Sequence, residues 1–91
     1  MKVSKSKLAQ IRLDATAIQD TDGHNLLSLK RLLHERFTFP CPFCGEKYHF
    51  HGTGNGHRSP HCIGVDQYFS FQNGAGEVFK FEDGYFLETI P

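Results

Sequence analysis

The chain has 91 residues, of which 38% are hydrophobic and 13% aromatic, and it carries no net formal charge at pH 7. This apolar content is too high for a disordered chain, and the zero net charge excludes a strongly basic nucleic-acid binder. The charge is unevenly divided, because residues 1–37 hold seven Lys or Arg against four Asp or Glu, whereas residues 38–91 hold three against six. We therefore expect a single domain over residues 1–91, with any basic patch confined to its N-terminal part.

The three cysteines are Cys41, Cys44 and Cys62, and an odd number cannot all pair within one chain. Four basic residues interrupt the first 13 positions, which is unlike a secretory signal, and no apolar run approaches the length of a membrane span. These features predict a cytoplasmic protein without membrane contact. In such a reducing setting, clustered cysteines more often indicate a metal site than disulfides.

Residues 1–7 are polar and basic, and we expect them to fray. Alternating apolar positions favour a strand over residues 11–17, and a short helix over residues 8–15 fits nearly as well. The tetrapeptide Asp-Thr-Asp-Gly at residues 20–23 predicts a turn.

Residues 24–36 carry the clearest helical pattern, with an apolar stripe through Leu26, Leu29 and Leu33. Such a helix would turn its charged side chains toward water. Its outward basic residues are Lys30, Arg31 and Arg36. The sequence thus predicts one N-terminal helix with a basic face.

The second half of the chain predicts β-structure. Residues 47–51 alternate as a strand and residues 52–56 form a glycine-rich turn. Residues 63–90 predict an antiparallel meander with strands at 65–71, 77–82 and 85–90, separated by turns at Asn73-Gly74 and Asp83-Gly84. One face of this meander would hold Phe69, Phe71, Phe79 and Phe81.

The window 41–62 holds all three cysteines and four of the six histidines. Cys41 and Cys44 are separated by two residues, with Pro42 between them and Gly45 directly after, so that a tight turn can aim both sulfurs at one point. Thiolate and imidazole are the ligands that Zn²⁺ prefers in a tetrahedral site. We therefore predict a metal-binding core at residues 41–62, in which Cys41, Cys44 and Cys62 bind Zn²⁺.

More than one histidine could supply the fourth ligand. His57 is expected first, because four residues separate it from Cys62, and His61 is the alternative, although it is adjacent to Cys62. His49 comes after them. His49, His51 and Arg58 are expected around the metal, where Arg58 would compensate the negative charge of the thiolates.

Three stretches of the window, residues 41–45, 49–52 and 56–62, resemble a zinc-ribbon-like signature of small bacterial and phage proteins, of the form CPxCG, HxHG and GHRxxHC. The resemblance covers about a quarter of the chain. It implies a zinc site built from cysteine and histidine, and no established activity. The chain departs from four-cysteine ribbons by a histidine in place of the fourth sulfur. The resemblance and the predicted elements together suggest an α+β fold: a small zinc-ribbon-like domain with one N-terminal helix and an antiparallel β-meander.

A zinc site with four protein ligands is closed, so we expect neither an enzyme nor a small-molecule substrate. The expected function is a zinc-stabilised binding module that contacts nucleic acid or a protein of the nucleic-acid machinery. Lys30, Arg31 and Arg36 would supply the contacts, assisted by the basic arm over residues 2–7.

A phage or mobile-element accessory protein that regulates or inhibits a host protein by direct binding is the alternative. The zero net charge and the acidic C-terminal half favour it. A zinc enzyme with an open coordination position and His49 or His51 as its base is the least expected function, because no glutamate is placed as in metalloenzyme helices.

Overall fold

The structure is a computed structural model that describes residues 2–32, 40–46 and 55–90. Its regular elements are α1 (Lys5–Leu13), β1 (Ala17–Gln19), β2 (Asn25–Leu32), β3 (Gly56–Arg58), β4 (Ser70–Gln72), β5 (Val78–Lys80), a 3-10 turn (Phe81–Asp83) and β6 (Tyr85–Ile90). One sheet has the order β1-β2-β6-β3, and β4 and β5 form a separate hairpin. β2 and β6 are parallel, and the other three pairs among the described strands are antiparallel. The predicted α+β class is therefore confirmed.

The helix α1 begins where a side chain accepts a hydrogen bond from one of its first, otherwise free N–H groups. Ser4 is the N-cap, and its hydroxyl accepts a hydrogen bond from the N–H of Lys7 at 3.2 Å. The N–H of Asp14 closes the last turn on the Gln10 carbonyl at 3.0 Å. Of the two alternatives for this stretch, the helix is correct and the strand over residues 11–17 is wrong. In the described residues no helix has the length and apolar character needed to cross a membrane.

The helix predicted over residues 24–36 is wrong over most of its length, because Asn25–Leu32 forms strand β2. Residues 33–39 lie outside the described residues. β2 follows the turn at residues 20–23, which is confirmed, since the Asp20 carboxylate accepts hydrogen bonds from the N–H groups of Asp22 and His24. That turn pairs β2 with β1, and β6 pairs with its other edge.

The leucines of β2 explain why the pattern resembles a helix. Leu27 and Leu29 are buried in the core cluster, while Leu26, also buried, belongs to the opposite face because successive side chains of a strand alternate. A central strand that buries residues on both faces shows a nearly continuous apolar run without a period of two. Such a run cannot be distinguished from a helical stripe by periodicity alone.

The C-terminal strands follow the prediction in sequence but not in pairing. β4 and β5 form the expected hairpin, in which Phe71 pairs with Phe79, although β4 is shorter than the predicted strand over residues 65–71. β6 begins at the expected position, yet it joins the four-stranded sheet instead of pairing with β5. The 3-10 turn and Gly84, with a φ of 81°, carry the chain between the two sheets, so no hairpin forms at Asp83-Gly84.

The core lies where the four-stranded sheet, the β4–β5 hairpin and the cysteine turn meet. Its buried members are Leu27, Leu29, Cys41, Phe43, Phe79, Tyr85 and Leu87. The predicted cluster of phenylalanines is confirmed, since Phe79 is fully buried and Phe69, Phe71 and Phe81 pack against the core. A potential metal ligand, Cys41, is thus part of the hydrophobic core.

Candidate metal centre

The first two cysteines lie in a tight turn, residues 41–46, which we call the knuckle. The N–H of Gly45 donates to the Cys41 carbonyl at 2.7 Å, and the N–H of Cys41 donates to the Glu46 carbonyl at 3.2 Å. The N–H of Glu46 points at the sulfur of Cys44, at 3.4 Å. Gly45 has a φ of 75°, a conformation that glycine adopts without strain. The knuckle is therefore held by its own backbone, as its spacing predicts.

Cys62 completes a group of three sulfurs, which we call the sulfur cluster. The Sγ atoms of Cys41, Cys44 and Cys62 all lie within 4.8 Å of one another, and those of Cys41 and Cys62 are 3.6 Å apart. A disulfide would require about 2.05 Å. Zn–S bonds of about 2.3 Å in a tetrahedron place the sulfurs about 3.8 Å apart. The spacing is therefore that of ligands around a metal ion, and the donor set suits Zn²⁺.

Burial and the proximity of other sulfurs oppose ionisation of Cys44 and Cys62. The pKa of Cys62 is raised by its hydrogen bond with Cys41, by burial and by the charges of the neighbouring sulfurs. Burial also raises the pKa of Cys44, and the N–H of Glu46 partly opposes this effect. Adjacent thiolates repel one another, and a dication bound among them would reverse these effects.

Arg12, at the end of α1, was not predicted to belong to this site. Its Nε donates to the carbonyl of Pro42 at 2.8 Å, and its Nη2 donates to that of Phe43 at 3.1 Å. Burial lowers the pKa of Arg12, while the nearby sulfurs of Cys41 and Cys44 act in the opposite direction. No local pattern could reveal this contact, because α1 and the knuckle are about 30 residues apart in sequence.

Tyr85 was not predicted to border the cluster either. The residue is 1% exposed, and burial is the main reason why its pKa is raised. The sulfurs of Cys41 and Cys62 add to this increase, whereas the charge of Arg58 opposes it. Tyr85 is therefore close to both the cluster and Arg58. Its place at the start of the last predicted strand carries no signal of a metal site.

The histidines differ in their surroundings. His57 lies on β3, is exposed and donates from Nε2 to the carbonyl of Asp83 at 2.7 Å. In the described residues, the group of metal-type ligand atoms around the sulfurs contains only the three cysteines. His57 as fourth ligand therefore remains a prediction that needs a different ring position. His49 and His51 lie outside the described residues.

His61 is also exposed, and its ring nitrogens, like those of His57, are not part of the group formed by the three sulfurs. It lines a cavity of about 230 Å³ together with the half-buried Cys44 and Cys62. The remaining lining residues are Lys2, Glu46 and Ile63. Lys2 reaches this position because it pairs with Glu46 as a single antiparallel bridge. Lys2, expected to fray, is thus anchored to the knuckle.

Two of the three residues predicted to form a basic surface lie on a strand and not on a helix. Lys30 and Arg31 are successive positions of β2, paired with Glu88 and Thr89 of β6, and Lys30 is exposed. The contact surface predicted for Lys30, Arg31 and Arg36 stays a prediction. Arg36 lies outside the described residues.

No protein-family model, curated protein or solved structure matches the chain. Its function is therefore inferred from the geometry of the site.

Proposed function

We propose that this protein is a small zinc-stabilised binding module that contacts nucleic acid or a protein of the nucleic-acid machinery. The observation that carries the proposal is the sulfur cluster, in which Cys41, Cys44 and Cys62 converge with the spacing of ligands around one metal ion. When bound, Zn²⁺ would cross-link the knuckle to Cys62 and neutralise most of the thiolate charge.

The metal has a structural role in this proposal. Cys41 is fully buried in the core, so the ion would occupy a position that the fold surrounds on one side. For the fourth ligand we favour His61, which lines the same cavity as Cys44 and Cys62, over His57, whose Nε2 is bonded to Asp83. A site with three thiolates and one imidazole is closed, which agrees with a binding module and not an enzyme.

The proposed contact surface is the basic arm, defined by Lys2, Lys5 and Lys7. All three side chains are exposed, and Lys2 lines the cavity beside the sulfur cluster. Lys side chains bind nucleic acid by neutralising phosphates and releasing counterions. We favour the arm over the predicted basic surface because Asn25–Leu32 is a strand and not the helix on which that surface was expected. Zinc would hold the arm in position through the pairing of Lys2 with Glu46.

A protein partner is the second candidate, and two exposed apolar side chains favour it. Ile63 is 96% exposed and directly follows Cys62, and Tyr68 is 75% exposed in the same connection to β4. Tyrosine and aliphatic side chains are typical of the centre of a protein interface. The host-directed regulator suggested by the acidic C-terminal half would bind in this way.

Mobility-shift assays at two salt concentrations distinguish these candidates. We expect zinc-loaded wild type to bind single- or double-stranded nucleic acid, with an affinity that falls as salt rises. The triple variant K2Q/K5Q/K7Q should bind more weakly, and each lost phosphate contact should lower the salt slope by roughly 0.7 to 0.9.

The double variant K30Q/K80Q is the control for loss of positive charge away from the arm, because both residues are exposed lysines outside it. It should bind almost as wild type does, and zinc content should be equal in all three proteins. If zinc-loaded wild type shows no affinity at low salt, the protein-partner candidate replaces the nucleic-acid one. If purified protein holds no zinc and takes none up, the module itself is misassigned.

A further inference from the structure

The guanidinium of Arg12 joins α1 to the metal centre through two kinds of contact. Its Nε and Nη2 donate to two successive carbonyls of the knuckle, those of Pro42 and Phe43. Its Cζ atom also lies over two rings, 5.0 Å from the centroid of Phe69 and 5.6 Å from that of Phe71. A cation held by two hydrogen bonds and two aromatic rings has a defined position, unlike an ordinary surface arginine.

The two hydrogen bonds determine the orientation of two peptide planes. In a trans peptide the N–H points opposite to the C=O of the same plane. Fixing the carbonyls of Pro42 and Phe43 toward Arg12 therefore directs the N–H groups of Phe43 and Cys44 away from it. Both planes lie between the two cysteines of the knuckle. Arg12 thus restrains the segment that sets the separation of the two sulfurs.

The charge of Arg12 complements that of the loaded site. Three thiolates, one Zn²⁺ and a neutral imidazole carry a net charge of −1, and one guanidinium beside them makes the total neutral. The sulfurs of Cys41 and Cys44 are close enough to influence the pKa of Arg12, although burial has the larger effect. Since the guanidinium is half-buried against aromatic rings, this attraction is less screened than that between surface charges.

We propose that Arg12 is a positioning residue of the metal centre: it holds the knuckle carbonyls and compensates the charge of the thiolate–metal group, and so raises metal affinity. This inference rests on the proposed zinc site. Residues that support metal ligands from outside typically change affinity by about 10- to 100-fold when replaced. An arginine that merely packs on Phe69 and Phe71 would change stability without changing the electronic properties of the bound thiolates.

Cobalt substitution tests the proposal on the full chain. Affinities for Co²⁺ and Zn²⁺ are measured by competition with a chromophoric chelator for wild type, R12Q, R12K and K7Q. R12Q should lose about 10- to 100-fold in affinity. K7Q removes the same charge from an exposed position of the same helix and should change affinity by no more than about threefold, because salt screens exposed charges.

The thiolate-to-Co²⁺ charge-transfer band gives a readout that packing alone would not move. Without the nearby cation the thiolate electrons are held less tightly, so this band should shift to longer wavelength in R12Q and stay in place in K7Q. R12K keeps the charge but not the planar pair of donors. We expect its band near the wild-type position and a smaller loss of affinity than in R12Q.

The outcomes distinguish failure of the zinc site from failure of the role of Arg12. Wild type that binds no metal overturns the zinc site and, with it, the role of Arg12. If wild type binds metal and R12Q matches it in affinity and spectrum, only the role of Arg12 is overturned. Should R12Q fail to fold, R12K decides: a band at the wild-type position together with a modest loss of affinity supports the proposal, and a shifted band contradicts it.

Discussion

At the scale of single residues, Gly84 connects the two sheets. Its φ of 81° and ψ of −155° lie in a region that essentially only glycine occupies. A Cβ atom there would collide with the carbonyl oxygen of Arg58 and lie 2.9 Å from Nε2 of His57. Because Arg58 and His57 belong to β3, the backbone at Gly84 packs directly on a neighbouring strand. The change of sheet therefore depends on the absence of a side chain.

We predict that Gly84→Ala lowers the free energy of unfolding by about 3 kcal/mol, from backbone strain together with the collision against β3. Gly23→Ala is the matched control. Its φ of 83° is similar, but no atom lies within 4 Å of the added Cβ, so its loss should be about 1 kcal/mol. Urea denaturation of the metal-loaded proteins measures both. Equal losses would show that contact with β3 contributes nothing.

The cysteines allow a second prediction at this scale. Cys41→Ser and Cys62→Ser each remove a thiolate of the sulfur cluster, so both variants should bind zinc much more weakly and unfold at lower temperature than wild type. His51→Ala, which the sequence places around the site and not in it, should have a smaller effect. Zinc content and melting temperature are measured for all three. Equal, mild effects would mean that the ligands are misassigned.

At the scale of elements, β2 decides the architecture. It pairs with β1, its neighbour in sequence, on one edge and with the distant β6 on the other. In the pairing with β6, Leu27 lies opposite Tyr85 and Leu29 lies opposite Leu87. All four of these residues are buried in the core. Hydrogen-bonded partners on both edges and buried leucines on both faces favour the extended conformation over the helical propensity of leucine and lysine. Tertiary contact thus overrides local preference in this segment.

Leu27→Ala tests this arrangement, because Leu27 is 1% exposed in the strand and lay outside the predicted helical stripe. We expect a loss of about 2–5 kcal/mol in the free energy of unfolding from the cavity that this change creates. Val78→Ala, at an exposed position of β5, should change it by less than about 1 kcal/mol. Denaturant midpoints provide the comparison. A loss for Leu27→Ala no larger than that for Val78→Ala would contradict the buried strand.

At the scale of the whole molecule, the sulfur cluster connects parts that are distant in sequence. The knuckle contacts α1 through Arg12 and the N-terminal arm through Lys2, and Cys41 belongs to the core that also holds β2, β5 and β6. A chain of 91 residues buries a limited core, and a structural metal can supply much of its stability. Metal binding and folding should therefore be coupled.

We predict that a strong chelator unfolds the protein and that added Zn²⁺ restores it. The three thiols would lose the cation that stabilises their charged forms, and the knuckle would lose its link to Cys62. Far-ultraviolet circular dichroism, with zinc measured in the same samples, follows both steps. A native spectrum in protein that contains no metal would show that the core is sufficient without the ion.

The sequence by itself determined the features that close within a few residues. The knuckle, the turn at residues 20–23 and the β4–β5 hairpin follow from residue type and spacing, because their hydrogen bonds join near neighbours. The three cysteines were likewise recognisable as one group from their number and spacing. Tertiary structure alone decided that residues 25–32 extend, that β6 joins β2, and that Arg12 lies beside the sulfurs. These three features depend on contacts between residues about 30 to 58 positions apart, which the periodicity of a short segment does not reveal.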